Sequence, residues 1–422
     1  MKLILDLIKR HKSGESIGIY ATCSAHPLVI EAALLQGKKD NTLVLIEATS
    51  NQVNQDGGYT GMKPADYIEL VYKIADKVGI SHEKILLGGD HLGPNCWQSL
   101  ASDEAMEKSK VLIKNYIAAG FRKIHLDCSM SCAGDPVPLS DETVSQRAAI
   151  LCQVAEEMWS EVGGEAPVYV VGTEVPVPGG AQEDLEEELA LTTDCDAKKT
   201  LDIHEAAFEA LGLSDAWERV IGLVVQPGVE FDHHKVIHYN SKKATALSQF
   251  IQSNPHIIYE AHSTDYQKDQ AYMDLVNDHF AILKVGPALT YALREAVFAL
   301  DTIEREWLGE EKASQVRSIL MKIMNDKPIY WESYYHNKLD LEFSFSDRSR
   351  YYWPEKTVVA ALEMLNSNLM ESPAPLTLIS QYLPVQYKAI CNGEIGNTAN
   401  EIILHKIMEV NSIYNKACGS QK

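Results

Sequence analysis

With 422 residues, 45% of them hydrophobic and 23% charged, the chain is long enough to bury a large core and too apolar to be disordered throughout. Its 59 acidic residues against 38 basic ones give a formal net charge of −21, which disfavours nucleic acid and anionic membrane as partners. No stretch reaches the roughly 18 apolar residues of a membrane span, and the eight cysteines form no CxxC pair, which fits reduced thiols in a cytoplasmic protein.

The N-terminal MKLILDLIKRHKSGE carries Asp6, Lys9 and Arg10 among its apolar residues, which predicts an amphipathic helix and not a signal peptide. Eight β-rich runs follow: IGIY (17–20), LVLIEA (43–48), ILLGGDH (85–91), KIHLDCS (123–129), VYVVGTE (168–174), VIGLVVQ (220–226), HIIYEAH (256–262) and FAILKVG (280–286). Helical periodicity fills the intervals, for example over 26–37, stopped at Gly37, and over 103–121, ending near Gly120. Eight βα alternations predict a closed parallel (β/α)8 TIM barrel over residues 1–300. The insertion after the fifth strand contains the acidic run AQEDLEEELA, read as a solvated helix face. Beyond residue 300 the strand pattern stops. AALEMLNSNL and ANEIILHKIMEVNSIY predict helices, so 301–422 is expected to be a helical extension packed on the barrel.

Each run begins apolar and ends in polar or small residues: Glu47, Asp90–His91, Asp127, Glu174, Gln226, His262 and Lys284. Parallel strands of a barrel end on one face, where the active sites of this fold sit, so these side chains are expected to converge. His91 and His262 are candidate metal ligands, weighed against histidines simply satisfied by neighbouring carboxylates. Asp90 is a candidate acid/base, or else a residue that orients His91 or caps the next helix. Glu174 and Asp127 are expected to line the cavity or to serve as structural hydrogen-bonding groups. Ser263 and Thr264 offer hydroxyls and backbone amides to a phosphate, while Arg348 and Arg350 either reach a second phosphate or form surface ion pairs. His233 and His234 are adjacent, so their side chains diverge and a shared metal is not expected.

The strings LIEATSNQVNQDGGYTGM, LGGDHLGPNCWQ, KIHLDCSMSC, VVQPGVEFDH, EAHSTDYQ and HFAILKVGPALTYALREA, with FSDRSRYYWP, make the chain resemble the accessory, non-catalytic subunits of D-tagatose-1,6-bisphosphate aldolase over nearly its whole length. That family is in turn similar to the class II ketose-bisphosphate aldolases, which are zinc barrels. The resemblance implies Asp90 as the general acid/base, His91 and His262 as zinc ligands, and Glu174 as a site carboxylate. It implies Lys284 and Gly286 near the substrate on the last strand. Two departures stand out: Gln226 occupies the place of a middle zinc histidine, and Gly286 that of a substrate-binding Asn. A neutral amide is a poor zinc ligand, although Glu174 or Asp127 would complete a set of two histidines and one carboxylate.

The resemblance therefore implies an accessory subunit that binds the catalytic tagatose-bisphosphate aldolase subunit and supports its activity and stability in galactitol or amino-sugar (tagatose 6-phosphate) catabolism. A sugar phosphate is a possible ligand of the mouth, and a homo-oligomer a possible assembly. The rival reading is an enzyme, a metal-dependent ketohexose(-phosphate) 4-epimerase or weak class II-type aldolase. A kinase is not supported, because no GxxxxGK[ST] loop occurs.

Overall fold

The computed structural model describes residues 1–419 except Glu174, 176–178, 182–184 and 186–188. The eight expected barrel strands are all present: β1 (Ile19–Cys23), β2 (Val44–Thr49), β3 (Ile85–Leu92), β4 (Lys123–Leu126), β5 (Val168–Val171), β6 (Val220–Val224), β9 (Ile258–Ala261) and β10 (Ile282–Val285). They close in the order β1-β10-β9-β6-β5-β4-β3-β2, every pair parallel. A short antiparallel hairpin of β7 (Glu230–Phe231) and β8 (Val236–Ile237), absent from the sequence reading, interrupts the connection from β6 to β9. Asp232 makes its turn, its carboxylate accepting the N–H groups of His234 and Lys235 at 2.7 Å each.

Strand side chains alternate, so one parity points into the barrel and the other toward the helices. The inward set is apolar low in the barrel: Ile19, Leu45, Leu86, Val168, Ile258 and Ile282. Ile4, Leu7 and Ile8 from the N-terminal helix Lys2–Lys12 pack onto that layer, which explains the amphipathic N-terminus. One or two inward positions further along, the same parity turns ionic: Leu45 gives way to Glu47, Leu86 to Gly88 and Asp90, Ile258 to Glu260, and Ile282 to Lys284. On β4 the inward residues are Lys123 and His125.

The extension is part of the barrel's helical layer. Its last helix, Ala399–Ala417, packs against Pro27–Asp40 and Pro287–Leu308, the helices after the first and last strands. Residue 300, the expected boundary, falls inside the continuous helix Pro287–Leu308. Residues 350–354 and the helix Lys356–Glu371 roof the mouth. No helix among the described residues is long and apolar enough to cross a membrane, and all eight cysteines are free.

Tyr414 ties the last helix to the barrel. It is fully buried, its ring lies 4.3 Å from that of Tyr272 and 5.6 Å from that of Tyr20, and its hydroxyl is 3.0 Å from that of Thr264. Tyr414→Ala should cost about 3–5 kcal/mol, the usual range for deleting a buried aromatic. Urea unfolding followed by far-UV circular dichroism and by tryptophan fluorescence should give one shared midpoint, lowered in the variant.

Candidate metal centre at the barrel mouth

The site begins with a packing problem. Glu47, Gly88 and Lys123 are register partners on three neighbouring strands. A Cβ at Gly88 would lie 2.5 Å from Glu47 Oε1, so only glycine leaves Glu47 room to reach Lys123, which it meets at 2.7 Å. Lys123 also pairs with Glu260 at 2.6 Å. Lys284 is ion-paired with Glu47 and, at 2.8 Å, with Asp90, while Glu260 lies 3.6 Å away. All five side chains are buried. Burial favours the neutral form of each. The opposing charges outweigh it, holding Asp90 and Glu260 well below the usual carboxylate range and both lysines above theirs.

Above this ionic floor stand three imidazoles, with ring centroids 4.9 Å apart for His91–His262, 5.1 Å for His91–His125 and 5.2 Å for His125–His262. Neighbouring residues of a regular strand face opposite ways, yet Asp90 and His91 both reach the mouth. The β3–β4 pairing shifts register between Gly89 and Leu92, and His91 has a φ of 49°, so a local bulge re-aims it. His91 Nδ1 bonds Asp127 Oδ2 at 2.7 Å. Burial opposes the charged imidazole, but Asp90 and Asp127 overcome it and raise the His91 pKa. His262 Nε2 bonds Glu260 Oε1 at 3.0 Å, and burial nevertheless lowers its pKa to about 4.

Asp90, His125, Glu260 and His262 each offer a donor atom, all within 4.8 Å of one another. Two observations fit a divalent cation here. His125 is fully buried, its Nδ1 lies 3.0 Å from Asp90 Oδ1, and its Nε2 has no hydrogen-bond partner. His125 Nδ1 also lies 3.2 Å from the His91 backbone N, and the tautomer that donates Nδ1–H to Asp90 is the one that leaves the Nε2 lone pair available, as metal-binding histidines require. Four buried carboxylates (Glu47, Asp90, Asp127, Glu260) also face two ammonium groups, Lys123 and Lys284, so neutral imidazoles would leave an excess of two negative charges. A bound divalent metal supplies Lewis-acid polarisation of a carbonyl or hydroxyl oxygen.

The cluster opens into a cavity of about 420 Å³ whose lining includes Asp90, His91, His262, Ser263, Lys284 and Gly286. Asp127 lies behind His91 and outside that lining. Glu174 lies outside the described residues. The other expected contacts are engaged differently. Gln226 Oε1 accepts the N–H groups of Gly228 and Val229 at 2.8 and 3.0 Å, so its amide folds back on its own loop and not onto the metal donors. The Thr264 hydroxyl donates to the Lys284 carbonyl at 2.6 Å and sits behind the cavity wall. Arg348 is buried beneath the roof, bonded to the Tyr330 carbonyl at 2.6 Å, and Arg350 lines the cavity in its place. His233 and His234 diverge as expected, one to the Tyr334 carbonyl and the other to Asp340, at 2.8 Å each.

Sequence reasoning missed His125 and Glu260. Both sit two residues below the polar ends that drew attention, on the same inward parity as Asp127 and His262, and that parity would have found them.

A TIM barrel with a buried carboxylate–imidazole cluster at the C-terminal ends of its strands is the class these features define. A family profile described as D-tagatose-1,6-bisphosphate aldolase subunit GatZ/KbaZ-like matches residues 4–419, and the chain belongs to that family. It is 46% identical to a probable tagatose 6 phosphate kinase from Sinorhizobium meliloti 1021, covering 95% of this chain and 100% of that one, with a TM-score of 0.88. A glycerol-complexed fructuronate-tagaturonate epimerase, UxaE from Cohnella laeviribosi, shares the fold at 11% identity, 96% and 81% coverage and a TM-score of 0.50.

Lys123 tests the ionic floor. Lys123→Met leaves Glu260 and Glu47 underpaired in the interior and should cost about 3–5 kcal/mol in denaturant unfolding. Adding Glu260→Gln should recover part of that loss, because it removes one of the stranded charges.

Proposed function

We propose that this chain is a non-catalytic subunit that associates with a catalytic tagatose-1,6-bisphosphate aldolase subunit in the cytoplasm, and that its mouth keeps a zinc-type metal site. The observation that carries the accessory reading, beside the family, is the state of the machinery an aldolase would use. The acid/base candidate Asp90 is held in an ion pair with Lys284 at 2.8 Å and a hydrogen bond with His125 at 3.0 Å. A carboxylate so stabilised is a weak base. Gln226, at the place of a histidine ligand, is committed to its own loop. Support of the partner needs no chemistry, since anything that binds a folded protein and not its unfolded form stabilises it by mass action. The kinase name of the Sinorhizobium meliloti relative finds no phosphate-binding glycine loop here.

The metal donors assigned are His125, His262, Asp90 and Glu260, with His91 beside them and Asp127 fixing the His91 tautomer. The intact cluster is the observation that favours the second reading, a metal-dependent ketohexose 4-epimerase. In that reading Asp90 and Lys284 are the groups placed to hold or move a proton.

Four measurements test these readings. Purified alone, the chain should cleave tagatose 1,6-bisphosphate negligibly, while the catalytic subunit should survive heating longer in its presence; robust zinc-dependent cleavage by the lone chain would overturn the accessory reading. Elemental analysis should find a divalent metal in the wild type and a marked loss in His125→Ala. Incubation of the metal-loaded chain with fructose that yields no tagatose would retire the epimerase.

A further inference from the structure

In TIM barrels a phosphate is commonly received between the loops after the seventh and eighth strands, on backbone N–H groups at a helix N-terminus. Here those strands are β9 and β10, and the helix is Pro287–Leu308. The position is already filled. Asp265, just past the end of β9, accepts the N–H of Gly286 at 3.1 Å and of Ala288 at 2.8 Å through one oxygen, Oδ1. Its side chain is buried and lines the cavity. The residues around it extend the same theme. Ser263 lines the cavity beside Asp265, and the nearby buried carboxylate of Glu230 feels the Asp265 charge as repulsion.

We propose that the mouth takes an unphosphorylated end of a ketose or polyol at this corner, and that Asp265 is the residue that excludes a phosphate there. The inference deepens the reading of the mouth as a retained ligand site and rests on it. An incoming phosphate would find the two N–H groups already bonded and would bring negative charge against a buried carboxylate, where low dielectric makes repulsion costly. Hydroxyl groups meet the opposite situation, because a carboxylate accepts O–H bonds strongly. Burial pushes the Asp265 carboxyl up to about 6 and that of Glu230 up to about 7, so Asp265 is mostly charged at neutral pH. Arg350 attracts the Asp265 charge from across the mouth, but its guanidinium is hydrogen-bonded to the carbonyls of Ser346 and Asp347 and to the Tyr351 hydroxyl. Lys284 is held by Glu47 and Asp90.

The experiment is calorimetric binding of D-tagatose, D-tagatose 1,6-bisphosphate and inorganic phosphate to the full chain at neutral pH, as wild type, Asp265→Asn and Asp265→Ser. Asp265→Asn keeps an acceptor for both N–H groups and removes only the charge. Expected are wild-type binding of tagatose at least as tight as of the bisphosphate, and phosphate affinity raised about tenfold or more in the variants with tagatose affinity little changed. Wild-type preference for the bisphosphate by about tenfold would overturn the proposal without recourse to any variant. So would unchanged phosphate affinity in folded variants, or no binding of tagatose by the wild type up to about 10 mM. Metal content in His125→Ala is read separately, so loss of the metal reading and loss of this one give different results.

Discussion

Charge balance inside a closed sheet is the constraint on which the mouth depends. Lys123 and Lys284 are buried ammonium groups, and neither is tolerable without carboxylates in contact. Glu47 and Glu260 meet both of them, which links β2, β4, β9 and β10 through one set of ion pairs. The linkage then fixes the upper layer: Lys284 holds Asp90, Asp90 holds His125, and Glu260 holds His262. Such a network is not the cheapest way to stabilise a barrel. Replacing buried ion pairs by well-packed apolar residues is often neutral or favourable by about 1–4 kcal/mol. What the ionic floor provides is position, since a donor set needs its side chains held more firmly than hydrophobic contacts alone would hold them.

The sequence carried this design further than a list of polar strand ends conveys. The shared end of parallel strands made the convergence legible, and Asp90, His91, His262 and Lys284 do line one cavity. That reading failed where a residue departs from the regular strand or where loops decide. The bulge at His91 is a register shift that periodicity does not record. Gln226 and Thr264 look like mouth residues by position, yet each satisfies a backbone group nearby, and short polar side chains commonly do so just past a strand. Arg348 and Arg350 are indistinguishable in the string SDRSRYY; the 3-10 turn Arg348–Tyr351 sends one beneath the roof and the other into the cavity. The strand pattern ends before residue 300, but a helix that follows the last strand belongs to the barrel it closes.

The extension changes what the barrel can be. An open mouth would leave the ionic cluster in water, where its pairs would be worth little. Residues 350–354 and the helix Lys356–Glu371 cover it, and the helix Ala399–Ala417 seals the ring between the first and last βα units. The extension therefore shares the wall of the cavity into which the cluster opens.

This joins ligand and stability in one account. With its imidazoles neutral, the cluster of Glu47, Asp90, Asp127 and Glu260 exceeds the ammonium groups of Lys123 and Lys284 by two charges. Protonated histidine is one remedy. His91 moves that way, its pKa raised by Asp90 and Asp127, whereas His262 is driven the other way by burial. A divalent cation held by His125 and its neighbours would offset the two charges that neutral imidazoles leave and, bound to the folded chain alone, would stabilise it by mass action.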